Sequence, residues 1–160
     1  SVPPTAAAAD SMHVALVEPE IPPNTGSIAR LCAATGTPLH LIGKLGFSID
    51  DKHVKRAGLD YWPWVDVRQH ADWPAFAAAV PGRRIGFSAR ATRPYTAVAY
   101  APDDVLVFGC ETRGLPAGVK DELADALYAI PITNPNVRSL NLANAVAIVL
   151  FEARRQLGLA

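Results

Sequence analysis

Short apolar runs alternate along the chain with longer segments of mixed polarity. Runs such as HVALVE, PLHLIG and VLVFGC are four to six residues of continuous apolar character, which is typical of buried strands. The pattern predicts strands at residues 13–18, 38–43, 64–68, 84–89, 105–110 and 128–132, and helices at residues 24–34, 51–57, 72–80, 118–126 and 139–157. Strands separated by helices favour an α/β fold, with a mostly parallel sheet flanked by helices on both faces.

Composition narrows the class of protein without identifying its chemistry. The chain has 160 residues, of which 50% are hydrophobic and 19% charged, so one globular domain is expected and disorder is excluded. Its longest apolar stretch, residues 145–151, is too short to cross a bilayer. Residues 1–11 are expected to be a flexible extension or a cloning remnant, and residues 12–160 a single domain. The net charge of zero neither suggests nor excludes nucleic acid.

The cysteines and histidines give no sign of a metal centre. Cys32 and Cys110 lie inside apolar runs rather than in a CxxC pair, which favours buried thiols in a reducing compartment. No secretory signal precedes them, so a cytoplasmic location is expected. Four histidines lack metal-ligand spacing, and no metal site is expected; they are His13, His40, His53 and His70.

Three loops rich in polar residues follow predicted strands, at residues 18–30, 109–116 and 131–144. In parallel sheets, ligands bind where loops leave the carboxyl ends of the strands. We therefore expect these three loops to form one binding site.

The first loop, EPEIPPNTGSIAR, ends in a helix that Asn24 or Thr25 can cap. Unpaired N–H groups at such a helix start suit a phosphate or a carboxylate. Arg30 follows six residues after Asn24. The simpler interpretation is a capped helix with one solvated arginine. A single Gly26 does not make a GxGxxG motif, so a dinucleotide fingerprint is absent.

The second loop follows the run VLVF. Gly109 allows close backbone approach to a ligand, Glu111 and Arg113 project from a tight turn, and Gly114 permits its reversal. Cys110 is a conceivable nucleophile, although no histidine adjoins it in sequence to activate it. A buried thiol is the favoured interpretation.

The third loop leads into the last helix. Ser139 can cap that helix, whose first turns then carry Asn141 and Asn144. Asparagine is unfavourable inside a helix, so one of these side chains is expected to meet a ligand or a partner backbone. Residues 143–151 are apolar almost all round, which predicts burial or contact with another subunit.

The motifs NTGSIAR, FGCETRGLP and IPITNPNVRSLNLANAVAIVLFEA resemble, in order, the three signature motifs of SPOUT-class RNA 2′-O-ribose methyltransferases. The resemblance covers residues 13–159. EPEIPPNTG followed by RAGLDYW is similar in particular to the small tRNA (cytidine/uridine-34) 2′-O-methyltransferases. The resemblance implies a C-terminal trefoil knot, a homodimer, and methyl transfer from S-adenosylmethionine to the wobble ribose of tRNA, with leucine tRNAs as the expected substrates.

The resemblance also implies roles for individual residues. The catalytic residues would be Asn24, Arg30, Ser139 and Asn141, with Arg30 holding phosphate and stabilising charge on the attacking oxygen. The cofactor would be bound by Phe87, Ser88, Gly109, Glu111, Ile130, Ile132, Ser139 and Leu140. The RNA would be bound by Arg30, Arg56, Arg90, Arg113 and Arg138.

Three alternatives remain at this stage. The first is a 2′-O-methyltransferase that acts on another tRNA or rRNA site. The second is a non-catalytic tRNA-binding or ribosome-associated module with the same fold. The third is a small-molecule hydrolase that uses Cys110 as its nucleophile.

Overall fold

The computed structural model describes residues 11–58 and 61–159, so most of the predicted N-terminal extension lies outside the described residues. The strands are β1 His13–Val17, β2 Leu39–Ile42, β3 Val67–His70, β4 Arg84–Phe87, β5 Val105–Phe108 and β6 Leu127–Tyr128. The helices are α1 Pro22–Thr35, α2 Lys52–Gly58, α3 Trp73–Ala79, α4 Ala117–Glu122 and α5 Leu142–Gln156.

All six strands pair in parallel, in the order β3-β2-β1-β5-β4-β6. The chain builds outward from β1 to β2 and β3, and the strands that follow lie on the other side of β1. The order therefore reverses between β1 and β5, and a reversal of this kind opens a crevice at the carboxyl ends of the strands. The predicted parallel sheet flanked by helices is confirmed.

Alternate residues of the central strands face two separate cores. Val14 and Leu106 pack toward α1 and α5, whereas Ala15 and Val107 pack toward α3 and α4. Because helices cover both faces, the central strands are apolar throughout rather than alternating. Within the described residues, no helix combines the length and apolarity needed to cross a lipid bilayer.

The third strand differs from the prediction. Residues 64–68 were expected to form it, but Trp62–Trp64 forms a 3₁₀ turn and the strand is Val67–His70. Pro63 has no N–H for a ladder and fits the first turn of a helix instead. Trp64, the first residue of the predicted strand, is the last residue of the 3₁₀ turn and is exposed, whereas Trp62 packs against the core on the α1 side.

Two helix starts and two other elements also differ from the prediction. Helix α1 begins at Pro22, before Asn24, and no side chain of its own caps it. Helix α5 begins at Leu142, and its cap is Asn141 rather than Ser139. Strand β6 has only two residues, because the next residue, Ala129, pairs with Pro94 in an isolated bridge instead of continuing along β4. Helix α4 ends early, and a 3₁₀ turn at Ala124–Ala126 follows it.

Candidate functional site

A cavity of about 410 Å³ lies at the carboxyl ends of β4 and β5. Two aromatic rings, Phe87 from β4 and Phe108 from β5, stack there with their centroids 5.0 Å apart. All eight residues expected to bind a cofactor line this cavity: Phe87, Ser88, Gly109, Glu111, Ile130, Ile132, Ser139 and Leu140. Loops that are distant in sequence thus converge on one concave surface with apolar walls and polar groups between them.

The loop after β5 is closed on itself. The N–H of Cys110 donates to the Gly114 carbonyl at 3.2 Å, and the N–H of Gly114 donates to the Cys110 carbonyl at 3.0 Å. A β-carbon on Gly109 would overlap the backbone of Gly114 and Leu115. Gly109 was expected to let its backbone approach a ligand; in the structure, the backbone that lies close to it is that of its own loop. Gly114 has a φ of 69°, which favours glycine.

Glu111 lines the cavity, yet its carboxylate is directed to the start of α1. Its Oε1 accepts a hydrogen bond from the Glu20 N–H at 2.8 Å. Its Oε2 accepts from the Ile21 N–H at 2.9 Å and from the Asn24 side-chain amide at 3.2 Å. Glu111 therefore holds the two residues that precede α1 and the Asn24 side chain in its first turn, at a helix start whose N-cap residue makes no side-chain cap. A positioning role therefore accompanies the predicted cofactor role.

A reciprocal contact, from Glu20 to Thr112, also joins the segment before α1 to the loop after β5. Oε1 of Glu20 accepts hydrogen bonds from the hydroxyl of Thr112 at 2.7 Å and from its N–H at 3.1 Å. The Thr112 hydroxyl is the main reason why the pKa of Glu20 lies below its ordinary value. Two glutamates thus tie the loop after β5 to the segment that leads into α1.

An amide relay extends this junction to the last helix. The Asn141 side chain donates to the Asn24 side-chain oxygen at 3.1 Å, and its own oxygen accepts from the Asn144 N–H at 3.1 Å. The predicted polar partner of the asparagine pair is therefore protein: Asn141 caps α5 and contacts α1. The relay joins all three polar loops through side chains.

A second, smaller cavity of about 220 Å³ lies against the relay. Asn24 and Asn141 line it, and Ser139 and Leu140 line both cavities. Ser139 is exposed and does not cap a helix, so its hydroxyl is available where the two cavities meet. Three of the four predicted catalytic residues therefore lie together.

Arg30, the fourth, lines neither cavity. It lies on the exposed side of α1, and its guanidinium carbon is 4.6 Å from the centroid of the Tyr61 ring. Arg56 on α2 is also exposed and lines neither cavity. Sequence order alone could not reveal this separation, because Arg30 is within the same motif as Asn24.

The larger cavity is bordered by an excess of positive charge. The three predicted RNA-binding residues Arg90, Arg113 and Arg138 line it. Lys120 also lines it and was missed in the sequence, although its place in the helix directly after the second loop could have indicated it. Glu111 is the acidic residue on the wall, and its oxygens are engaged by α1. This balance suits an anionic ligand.

Cys110 lines the larger cavity but lacks the partner that a nucleophile needs. It is 7% exposed, and no histidine in the described residues lines the cavity beside it. Cys32 lies elsewhere, in the core, where burial raises the pKa of its thiol to about 12. Both cysteines are buried thiols, as predicted. The geometry gives no support to a cysteine hydrolase.

Three histidines that are scattered in the sequence form a row across β1, β2 and β3. His40 shares a hydrogen bond of 2.8 Å with His13 and one of 2.9 Å with His70. Burial and the two neighbouring imidazoles lower the pKa of His40 to about 3. Across the described part of the chain, no group of three or more His, Cys, Asp or Glu side chains is arranged to hold a metal ion.

The motifs and the fold are shared with known proteins. The sequence profile of the SpoU rRNA methylase family matches residues 11–151. The tRNA (cytidine(34)-2′-O)-methyltransferase of Escherichia coli is 50% identical over 149 residues, which cover 92% of this chain and 94% of that protein.

Two solved structures share the fold. A structure that addresses the 2-OH methylation of C/U34 on tRNA superposes with a TM-score of 0.87 at 47% identity, covering 92% of this chain and 97% of that one. An AdoMet-bound rRNA methyltransferase of Sinorhizobium meliloti superposes with a TM-score of 0.81 at 29% identity, covering 92% of this chain and 57% of that one. The family match extends over most of the chain, and solved structures share its fold, so the chain belongs to the SpoU methylase family.

Proposed function

We propose that this protein transfers the methyl group of S-adenosylmethionine to the ribose 2′-hydroxyl of nucleotide 34 in tRNA. The observation that carries the proposal is the convergence of three loops, distant in sequence and joined by the Glu111–Asn24–Asn141 relay, on one cavity. Two relatives that are 50% identical, and that match this chain over nearly their whole length, are named for this activity.

The larger cavity fits the methyl donor. Its volume of about 410 Å³ lies in the range of small-molecule sites, which are mostly apolar with a few placed polar groups. The apolar side chains of Phe87, Ile130 and Leu140 suit the adenine ring, and the cations on the wall suit the carboxylate of the methionine portion. When bound, this cofactor supplies a methyl group that is already activated as part of a sulfonium ion. We propose that no metal takes part.

The smaller cavity suits the acceptor ribose. Ser139 lies where the two cavities meet, so its hydroxyl can orient the 2′-hydroxyl toward the larger cavity. Asn24 and Asn141 hold the wall in place through the relay. Arg90, Arg113 and Arg138 border the larger cavity and would hold phosphates of the RNA.

Arg30 would contact the phosphate beside the acceptor and stabilise charge on the attacking oxygen. Because it lines neither cavity of its own chain, we propose a homodimer in which each site uses residues from both subunits. The outward face of α5 supports this assembly, since Ile148 and Phe151 are 37% and 44% exposed. Contact with an apolar surface of the second subunit would bury these two side chains.

Finer features of the family are part of the same proposal. They are a trefoil knot in the C-terminal segment, a single catalytic domain over residues 12–160, a cytoplasmic location and a preference for leucine tRNAs. Anticodon loops suit such a compact enzyme, because single-stranded RNA exposes its riboses and bases for contact, whereas a duplex hides the identity of its bases in a deep groove.

The decisive experiment is methyl transfer to an anticodon stem-loop, compared with the same RNA carrying a 2′-deoxy nucleotide at position 34. Incorporation into the first RNA and none into the second is expected. Equal incorporation into both would contradict the acceptor. Cofactor binding without transfer to any tRNA would instead support a non-catalytic module. Cys110→Ser is a control that should remain active if the thiol has no chemical role.

A further inference from the structure

Four arginines lie over aromatic rings, and Arg30 differs from the other three. Arg84, Arg93 and Arg154 each lie over a ring and also donate hydrogen bonds to backbone carbonyls, namely those of Gly82 and Ala77, of Asp125, and of Thr35 and Leu159. Arg30 has the ring contact, at 4.6 Å from the Tyr61 centroid, but no hydrogen bond or ion pair within the described residues. Its ring contact is thus its only restraint there.

A ring contact and a hydrogen bond restrain a guanidinium group in different ways. The ring attracts the face of the planar cation, so the five N–H donors around its edge remain free. A hydrogen bond to a carbonyl would occupy one of those donors. The contact with Tyr61 therefore reduces the rotamer freedom of Arg30 while leaving every donor available to another molecule.

The turn that carries the Tyr61 ring is held in place. The Tyr61 carbonyl accepts a hydrogen bond of 2.9 Å from the Trp64 N–H, which closes the 3₁₀ turn. Trp62, the next residue, packs against the core on the α1 side. The platform under Arg30 is therefore attached to the same core as α1, although residues 30 and 61 are far apart in sequence.

We propose that Tyr61 is a positioning residue that orients Arg30 for the RNA. The ring face fixes the plane of the guanidinium, so that less freedom is lost when Arg30 contacts the phosphate or the attacking oxygen. The inference rests on the proposed function, because it requires Arg30 to act in methyl transfer. It adds a residue whose side chain need not touch the substrate.

The test compares two replacements of Tyr61 with a control on the same turn. Tyr61→Phe keeps an aromatic face and should stay within about 3-fold of the parent rate, whereas Tyr61→Leu should lower kcat by about 3- to 30-fold, the range of a cation–π contact. Calorimetric affinity for S-adenosylmethionine should be unchanged in both. Trp64→Leu, which removes an exposed aromatic ring that holds no arginine, should leave kcat unchanged. Thermal unfolding checks that each variant is folded.

A double-variant cycle separates positioning from direct RNA contact. In an Arg30→Lys background, which keeps a charge but not the planar group, Tyr61→Leu should have little further effect. An equal loss in both backgrounds would contradict the proposal, since Tyr61 would then act on the RNA itself. Equal rates for Tyr61→Leu and Tyr61→Phe would also contradict it.

The outcomes distinguish this inference from the function on which it rests. If Arg30→Ala retains the full rate, the role proposed for Arg30 fails, and the positioning by Tyr61 fails with it. If Arg30→Ala abolishes methyl transfer while Tyr61→Leu changes nothing, the function stands and only the positioning is wrong.

Discussion

Two regions of the sheet differ in where their polar side chains find partners. Across β1, β2 and β3, the imidazoles of His13, His40 and His70 bind one another, and His40 is completely buried. At the ends of β4 and β5, Arg138 and Ser139 are exposed at the rim of a cavity. In the first region the imidazoles bond to one another, whereas in the second region the polar side chains are accessible to a ligand.

The difference separates residues that stabilise the fold from residues that can bind. A buried polar group without a partner is costly. Both ring nitrogens of the buried His40 are hydrogen-bonded, one to His13 and one to His70, so this imidazole has no atom left for a ligand. In the second region, the internal hydrogen bonds belong to Glu111, Asn24 and Asn141, which hold the loops. The groups left over, mainly cations and a hydroxyl, face the cavity. Within the described residues, these cations and the hydroxyl have no side-chain hydrogen bond to the protein, whereas the three imidazoles do.

A substitution of Gly109 is expected to have the largest effect on the open region at the ends of β4 and β5. A β-carbon there would overlap the backbone of Gly114 and Leu115, so Gly109→Ala must open the loop after β5. Backbone displacement of this kind costs about 1–3 kcal/mol, and cofactor affinity should fall by about 10- to 100-fold. Calorimetry with S-adenosylmethionine measures it.

Gly118→Ala is the matched control for that change. Gly118 lies in α4, and a β-carbon there would meet nothing within 4 Å. Alanine favours a helix over glycine by about 1 kcal/mol, so this variant should bind the cofactor normally and be slightly more stable. A Gly109→Ala protein with normal affinity would show that the loop does not shape the cavity.

The second effect is a loss of stability in acid, which the histidine row should cause. His40 is neutral in the fold, with a pKa of about 3, but its unfolded pKa is near 6.5. Between these values the unfolded state binds the extra proton, so stability falls as pH drops below 6.5. One proton amounts to about 1.4 kcal/mol per pH unit, or about 2 kcal/mol at pH 5. Burial also lowers the pKa values of His13 and His70, which act in the same direction.

Urea unfolding at pH 7.5, 6.5 and 5.5 measures this loss. His40→Leu should be less stable at pH 7.5, because His13 and His70 lose their shared partner. Its stability should nevertheless depend less on pH below 6.5 than that of the parent. Parallel pH profiles for the two proteins would show that the row does not carry the acid sensitivity.

The sequence predicted the sheet well because buried parallel strands are apolar throughout, and that pattern needs no knowledge of partners. The runs that contain Val14 and Leu106 illustrate this. Two of its failures have a common cause. Trp64 was predicted to begin a strand and Ser139 to cap a helix, and each residue type suits more than one kind of element until tertiary contacts decide.

For the candidate site, the sequence predicted which residues line the cavity but not the contacts that hold its loops together. The residues that the motifs assign to cofactor binding line one cavity. The hydrogen bonds between Glu111 and the start of α1, however, join residues about 90 positions apart. No local pattern encodes such a contact. The row of histidines was missed for the same reason. The parallel register sets His40 opposite Ala15 and Arg68, so His13 and His70 each lie two residues along the neighbouring strands, on the same face.

A third effect, of intermediate size, tests the junction that holds the loops. Glu111→Gln keeps the shape of the side chain but replaces one acceptor oxygen with a donor group, which would face the N–H of Glu20 or that of Ile21. Unfolding in urea should show a loss of about 1–2 kcal/mol. Asp121→Asn, at an exposed position of α4, is the control and should change stability little. If both variants are equally stable, Glu111 does not anchor α1.

The smallest effect concerns the cations, and it separates those that contact RNA phosphates from those that do not. Arg138 lines the larger cavity and is exposed, whereas Arg56 is exposed on α2 and lines neither cavity. If Arg138 contacts a phosphate, Arg138→Ala should reduce the logarithmic salt slope of anticodon stem-loop binding by about 0.7–1, since one fewer counterion is released. Arg56 was also expected to bind RNA, so Arg56→Ala tests whether RNA contact extends beyond the cavity. An unchanged slope for Arg56→Ala would confine the phosphate contacts to the open region of the sheet, and equal reductions would extend them over α2. An unchanged slope for Arg138→Ala would contradict the assignment of the open cations to RNA.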